Sequence, residues 1–428
     1  MSSLTNSAIS IYAARTLGAA DFGAFSLAYV TYSFALNASR GLGSDPLMVR
    51  FSGAELPVWR RAVSHCSGTA AVVGIVAALA VLGAAAALSG TARLAFLALG
   101  LTLPGLLLQD SWRYAFFAIG RGSRAFLNDL VWAAALVPAL LFLRSTGREN
   151  VFWLVFAWGA AGTLAALVGP FQARVIPRLH KAREWVSEHR DLGPRYLAEN
   201  TANSGAAQLR IYGIGIIVSL SAVGYIQASS TLMGPFMVIF MGLSLVTVPE
   251  AARVLRQSPQ HLRLFCFLVG CALALIGFAW GVALIVALPR GLGSWLLGPI
   301  WRPAFPLVLP VSIGLAGACM TAGASAGLRA LGQSRRSLRA QVIASVIYVA
   351  AGLVGGVIDG AYGSVVGTAI AIWIGTLMWW WQLHTALKEP AKVPGGVIAS
   401  PARAAGRHRT AATASSRPRP RKQAPKRS

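Results

Sequence analysis

The chain has 428 residues, 56% hydrophobic and 12% charged, and its 38 Lys and Arg against 13 Asp and Glu give a formal net charge of +25. Such an apolar excess excludes a soluble globular protein. Most of the positive charge falls in loops and a tail beside apolar stretches, where topology and anionic lipid account for it, so it gives no argument for nucleic acid.

A run of about 20 apolar residues crosses the ~30 Å hydrocarbon core as a helix, because a helix satisfies its own backbone in lipid. Runs of that kind predict spans near 1–14, 22–44, 68–89, 94–119, 125–143 and 150–171, then near 203–221, 225–249, 262–288, 304–328, 338–358 and 361–384. The first is short: 14 residues rise only about 21 Å, so this helix is expected to be truncated. No basic stretch follows Met1, and no cleavable signal peptide is expected. The fold class is therefore an all-α polytopic membrane protein with about twelve transmembrane helices. Leu179, Ala182, Trp185 and Val186 recur at helical spacing in the long central loop and predict an interfacial helix there. From Lys388 onward Pro, Ala, Ser and Arg dominate, which predicts a disordered basic tail.

The two halves echo each other. Phe22-Gly23 followed by Pro46 and Arg50 recurs as Val223-Gly224 followed by Pro249 and Arg253, and Ala118–Arg124 resembles Ala330–Arg335. A duplication of six plus six spans leaves both halves in the same orientation, related by an axis along the membrane normal, with a substrate path between them. The expected domains are a first bundle at 1–171, a linker at 172–202, a second bundle at 203–386 and the tail at 387–428. Counted over alternate loops from an inner start, 29 of the 38 Lys and Arg lie on the inner side or in the tail, six lie on the outer side and three inside spans. That bias places both termini in the cytoplasm.

Ala14-Arg-Thr-Leu-Gly-Ala-Ala-Asp-Phe-Gly23 resembles a signature after the first helix of bacterial polysaccharide flippases of the Wzx type, in the MOP superfamily with the MATE exporters and lipid II flippases. Ala222-Val-Gly-Tyr225, Leu296-Leu-Gly-Pro299 with Pro303-Ala304, and Ala330-Leu-Gly-Gln333 resemble the same family in the same order, over about residues 8–384. The resemblance implies a MATE-like fold in the bacterial cytoplasmic membrane and a flippase for polyprenyl-diphosphate-linked oligosaccharide. It implies membrane lipid, polysaccharide polymerases and glycosyltransferases as partners, and no cofactor.

Ionised groups inside a span are costly and face a cavity or a partner. Arg40, Arg113 and Arg210 lie within spans and Arg15 closes the first. A guanidinium is always charged and forks onto phosphate oxygens, so these four are the candidates for headgroup binding. Of the four, only Arg15 falls in a matching family motif. Asp45, Asp110 and Asp129 are the candidates for a polar cavity or ion coupling. Simpler readings stand beside these. Arg113 pairs with Asp110 at i,i+3, Arg40 snorkels to the inner surface, and Arg15 anchors the outer interface. Arg210 has no acidic neighbour nearer than Glu199, which makes it the foremost anion candidate. Asn128, Asn200, Asn203 and Gln208 either line the path or sit at helix ends.

Other chemistry finds no footing. There is no Gly-Lys pair for a phosphate loop. Gly323-Ala-Ser-Ala-Gly327 matches a nucleophile-elbow pattern inside a membrane helix, so it reads as a packing face, as do Gly352-x-x-x-Gly356 and Gly363-x-x-x-Gly367. Cys66, Cys266, Cys271 and Cys319 form no CxxC pair and read as core residues, and no enzyme is expected. Two alternatives to a flippase remain: a MATE-like exporter of drugs or cations, which needs intramembrane carboxylates, and an integral-membrane glycosyltransferase or ligase, which needs sizeable outer loops.

Overall fold

The computed structural model describes residues 2–388, which are helical almost throughout and contain no strand. Beyond its first two positions, the expected basic tail at 387–428 lies outside the described residues. Every expected span falls on a helix. The first half comprises α1 (Ser2–Thr16), α2 (Ala19–Ser39), α3 (Asp45–Phe51), α4 (Leu56–Ala87), α5 (Gly90–Ala118), α6 (Gly122–Ser145) and α7 (Val151–Ala173). After the short α8 (Ala182–Glu188) come α9 (Gly193–Ile217), α10 (Leu220–Leu232), α11 (Gly234–Gln257) and α12 (Leu262–Ala287). Short α13 (Leu292–Leu297) and α14 (Trp301–Ala304) lead into α15 (Val308–Ala330) and α16 (Ser334–Lys388).

Among the described residues seven helices are long and apolar enough to cross a membrane, or eight when α10 and α11, bent by 57° at their junction, count as one. The chain is a multi-pass membrane protein. α1 falls below that measure at 15 residues, and α2 and α9 fall below it because they carry polar groups through the interior. α16 is two arms rather than one rod. Asp359 and Gly360 leave helical geometry, with Gly360 at φ +52. The arms then fold back on each other so tightly that a Cβ on Gly355 would strike the carbonyl of Gly363. Small residues allow such backbone approach in membranes.

α5 packs on α2, α4, α6 and α7, and α15 packs on α11, α12 and α16, so each is the central strut of its half. α2 crosses α10 and α9, and α1 meets α13. Tyr29, Tyr32, Trp132 and Trp158 interlock inside the first half, with Tyr32 edge-on to Trp158 at 5.0 Å. Cys66, Cys266 and Cys319 are free and buried, as core residues should be. Gly323 and Gly327 seat α15 on α12, where a Cβ at 323 would meet the Cys266 carbonyl. The linker helix differs from the interfacial expectation: Trp185 is buried in protein, stacked on His189 at 4.0 Å and on Phe51 at 5.8 Å.

The crossing of α2 and α10 is reciprocal. A Cβ on Gly23 would strike the carbonyl of Leu220, and a Cβ on Gly224 would strike that of Ala19. Ala19 and Leu220, like Gly23 and Gly224, are separated by the 201 residues that offset the sequence repeat. Contacts of i with j and of j with i are what a two-fold relation produces.

Gly23→Val forces a branched side chain into a backbone carbonyl and should lower stability by about 2 kcal/mol. Gly83→Val, where a Cβ meets nothing within 4 Å, should stay within about 0.5 kcal/mol of the parent. Thermal unfolding in detergent separates the two, and equal losses would contradict the close crossing.

Candidate functional site

Four of the candidate residues form one buried ion cluster. α2 ends in a π-helical turn, Arg40–Ser44, a distortion often found at functional sites. Arg40 donates from Nε and Nη2 to the two carboxylate oxygens of Asp110 on α5, both at 2.8 Å. Arg113 donates from Nη1 to the same carboxylate at 3.1 Å, and its Nε lies 3.1 Å from Asp129 on α6. Gln109 donates to Asp129 and to Asn128, each at 3.1 Å, and Asn128 donates to the Ala165 carbonyl on α7 at 2.8 Å. Arg40 also lies over the Tyr114 ring at 5.1 Å. Asp110 and Asp129 are almost wholly buried, and the two arginines balance the two carboxylates.

The sequence reading of this region needs one correction: Arg40 is drawn across to α5 rather than snorkelling, because a buried Asp110 is the better partner. Asp45, just past the π-helical turn, accepts from Asn200 of α9 at 2.9 Å. Nearby, Asn37 donates to Ser204 at 2.7 Å, and the hydroxyls of Thr31 and Tyr212 lie 2.7 Å apart. α2 and α9 are thus joined by a ladder of polar pairs. Asn200 belongs to this ladder and Asn128 to the ion cluster. The amide oxygen of Gln208 is buried with no hydrogen-bond partner among the described residues; the side chain of Asn203 lies outside them.

Arg210 stands apart. It is 7% exposed and sits between the two arms of α16. Nη1 donates to Ser364 at 3.2 Å, and the guanidinium lies 5.4 Å from the centre of the Tyr348 ring. Among the described residues no carboxylate pairs with it, and its Nε meets no acceptor. The stripe Gly352-x-x-x-Gly356 makes the room. A Cβ at 352 would lie 2.5 Å from Arg210 Cδ, and one at 356 would strike Ile214, one turn further along α9. This stripe reads as packing in the sequence; what it packs against is the aliphatic stem of the buried charge.

Arg210 lines a cavity of about 300 Å³ with Ser230, Met233, Pro310, Tyr348 and Thr368. A second cavity of about 320 Å³ lies where α1 and α2 face α10, lined by Asn6, Ser10, Ser26, Tyr29, Gln227 and Thr231 among others. Ser230 borders both, and among the described residues Arg210 is the sole charged one lining either. Arg15 is exposed at the end of α1, 5.3 Å from the Trp295 ring centre, and borders neither. The four arginines expected at one headgroup therefore occupy three separate settings. Sequence reasoning missed Tyr348, Ser364 and Ser230, whose only signal is a polar group inside an apolar run.

No protein-family profile and no curated protein sequence matches the chain. Solved structures do. An inward-facing multidrug resistance MATE transporter of the MOP superfamily superposes with a TM-score of 0.71 at 14% identity, covering 90% of this chain and 94% of that one. The lipid II flippase MurJ, in an inward closed conformation, gives 0.64 at 11% identity over 90% of this chain and 87% of that one. A MOP superfamily transporter from Pyrococcus furiosus, described as having a binding pocket of reverse polarity that suggests a different function, gives 0.53 at 14% identity over 91% and 94%. The chain has the fold of these transporters.

Removing one member of the cluster tests its energetics. Asp110→Ala strands Arg40 and leaves Arg113 with Asp129 alone, and should cost about 3 kcal/mol, the low end for a broken buried pair because Arg40 is partly exposed. Arg40→Ala added to it should cost less than the sum of the single losses, by about 1 kcal/mol or more. Unfolding of the two single variants and the double variant in detergent measures the coupling; strict additivity would contradict it.

Proposed function

We propose that this chain is a membrane transporter that turns polyprenyl-diphosphate-linked oligosaccharide from the inner to the outer leaflet, by alternating access between two six-helix bundles. The observation that carries the reading is the buried, carboxylate-free guanidinium of Arg210 on the wall of a cavity. A guanidinium stays charged at physiological pH. Ser364 and the Tyr348 ring hold it without cancelling its charge. Diphosphate oxygens supply the acceptors its remaining N–H groups require, in the fork geometry that makes such bonds strong.

The fold shared with a lipid II flippase supports a lipid-linked substrate. Cation export is less well supported. An organic cation calls for an available carboxylate, whereas Asp110 and Asp129 are held by arginines, Asp45 accepts from Asn200, and among the described residues no carboxylate lines either cavity. In this reading Arg40 and Arg113 hold the first bundle together, and Arg15 stands at its outer rim. Both termini lie in the cytoplasm of a bacterial cell, on the strength of the 29 to six division of basic residues. Glycosyltransferases would then supply the substrate on the inner face and a polymerase would consume it on the outer face.

The test is transport by the full chain in proteoliposomes, read as the fraction of a polyprenyl-diphosphate-linked disaccharide that becomes accessible in the opposite leaflet. Arg210→Ala should slow transfer about ten-fold or more, a loss of ~1.4 kcal/mol or greater, and Arg210→Lys should retain part of it. No transfer by the parent chain, or parent-like transfer by Arg210→Ala, would overturn the reading.

A further inference from the structure

Among the described residues the cavity between α1, α2 and α10 has no charged lining residue, and four of its six hydroxyls are committed in one sense. Ser10 donates to the carbonyl of Asn6, Ser26 to Phe22, Ser230 to Ile226 and Thr231 to Gln227, each at 2.8 Å. A hydroxyl has one hydrogen to give, so these four offer the cavity lone pairs alone. Asn6 accepts from Trp158 Nε1 at 3.0 Å through its amide oxygen, which leaves its NH2 group as a donor. Phe22 and Phe25 lie nearly parallel, 11° apart with centroids at 6.2 Å, and line the wall beside Tyr29.

We infer that this chamber is the sugar subsite, built for an uncharged glycan unit. The inference rests on the reading that the diphosphate sits at Arg210. A pyranose carries donors around its edge and C–H groups on its faces. An acceptor-rich wall with aromatic rings answers both. A carboxylate on the sugar would meet no cationic side chain among the described lining residues, and burying it without one is costly. Ser230 borders both cavities, so the chamber lies next to the Arg210 cavity, as a sugar bonded to a diphosphate requires. Acceptors alone also suit an organic cation, but the Arg210 charge beyond Ser230 opposes one.

The experiment measures binding of three lipids to the detergent-solubilised full chain: undecaprenyl diphosphate alone, and the same lipid carrying one N-acetylglucosamine or one glucuronate. The N-acetylglucosamine lipid should bind about ten-fold tighter than the bare lipid, and the glucuronate lipid no tighter. In a variant with Ser10→Ala and Gln227→Ala the ratio of neutral-sugar to bare-lipid affinity should fall to about one, a ratio that loss of folded protein does not change. Equal affinities for all three lipids in the parent chain, or an equal gain from glucuronate, would overturn the sugar subsite while leaving the diphosphate reading intact. Failure of the bare lipid to bind would overturn the diphosphate reading and the subsite with it. Saturable tetraphenylphosphonium binding that the double variant abolishes would overturn the subsite in favour of a cation chamber.

Discussion

A charged group held away from water needs a partner within hydrogen-bond reach, and the interior of this protein is ordered by how that need is met. In the first half it is met in full. Two arginines and two aspartates on α2, α5 and α6 close on one another, with Gln109 and Asn128 tying the cluster to α7. In the second half Arg210 has a hydroxyl and an aromatic ring where a carboxylate would otherwise stand. The cluster in one half is neutral and cross-braced, and the other half keeps an unpaired positive charge at a cavity wall.

The two halves echo each other in frame at one crossing and differ elsewhere. The reciprocal contact of Gly23 with Leu220 and of Gly224 with Ala19 keeps the offset of the sequence repeat. Away from that crossing the halves part. α2 runs unbroken from Ala19 to Ser39, whereas α10 stops at Leu232 and the chain turns by 57° into α11. The ion cluster around Arg40 and the chamber around Arg210 are likewise placed on non-equivalent helices.

The helices were legible because apolar length is a strong and local signal. Even the short first helix and the turn between the last two spans stand in the sequence, the latter at Asp359-Gly360. Partners across helices were not legible. Nothing local says that Arg40 reaches Asp110, seventy residues on, in preference to the nearby Asp45. The charge pair that could be read, Asp110 with Arg113, is the one made within a single helix. Arg210 could be singled out because it lacks acidic neighbours in the chain, but its seat depends on Tyr348, Gly352 and Ser364, which only folding brings to it. The hydroxyls of the second cavity were invisible for a related reason: Ser and Thr are common in membrane helices, and only the surroundings decide whether one faces a cavity.

The break between α10 and α11 joins the two chambers mechanically. Ser230 is common to both, Met233 lines the one holding Arg210, and Gly234 lines the other. The helix axis therefore changes course at the wall that divides them. Straightening or sharpening this elbow would shift lining residues of both compartments at once, through a single joint of backbone.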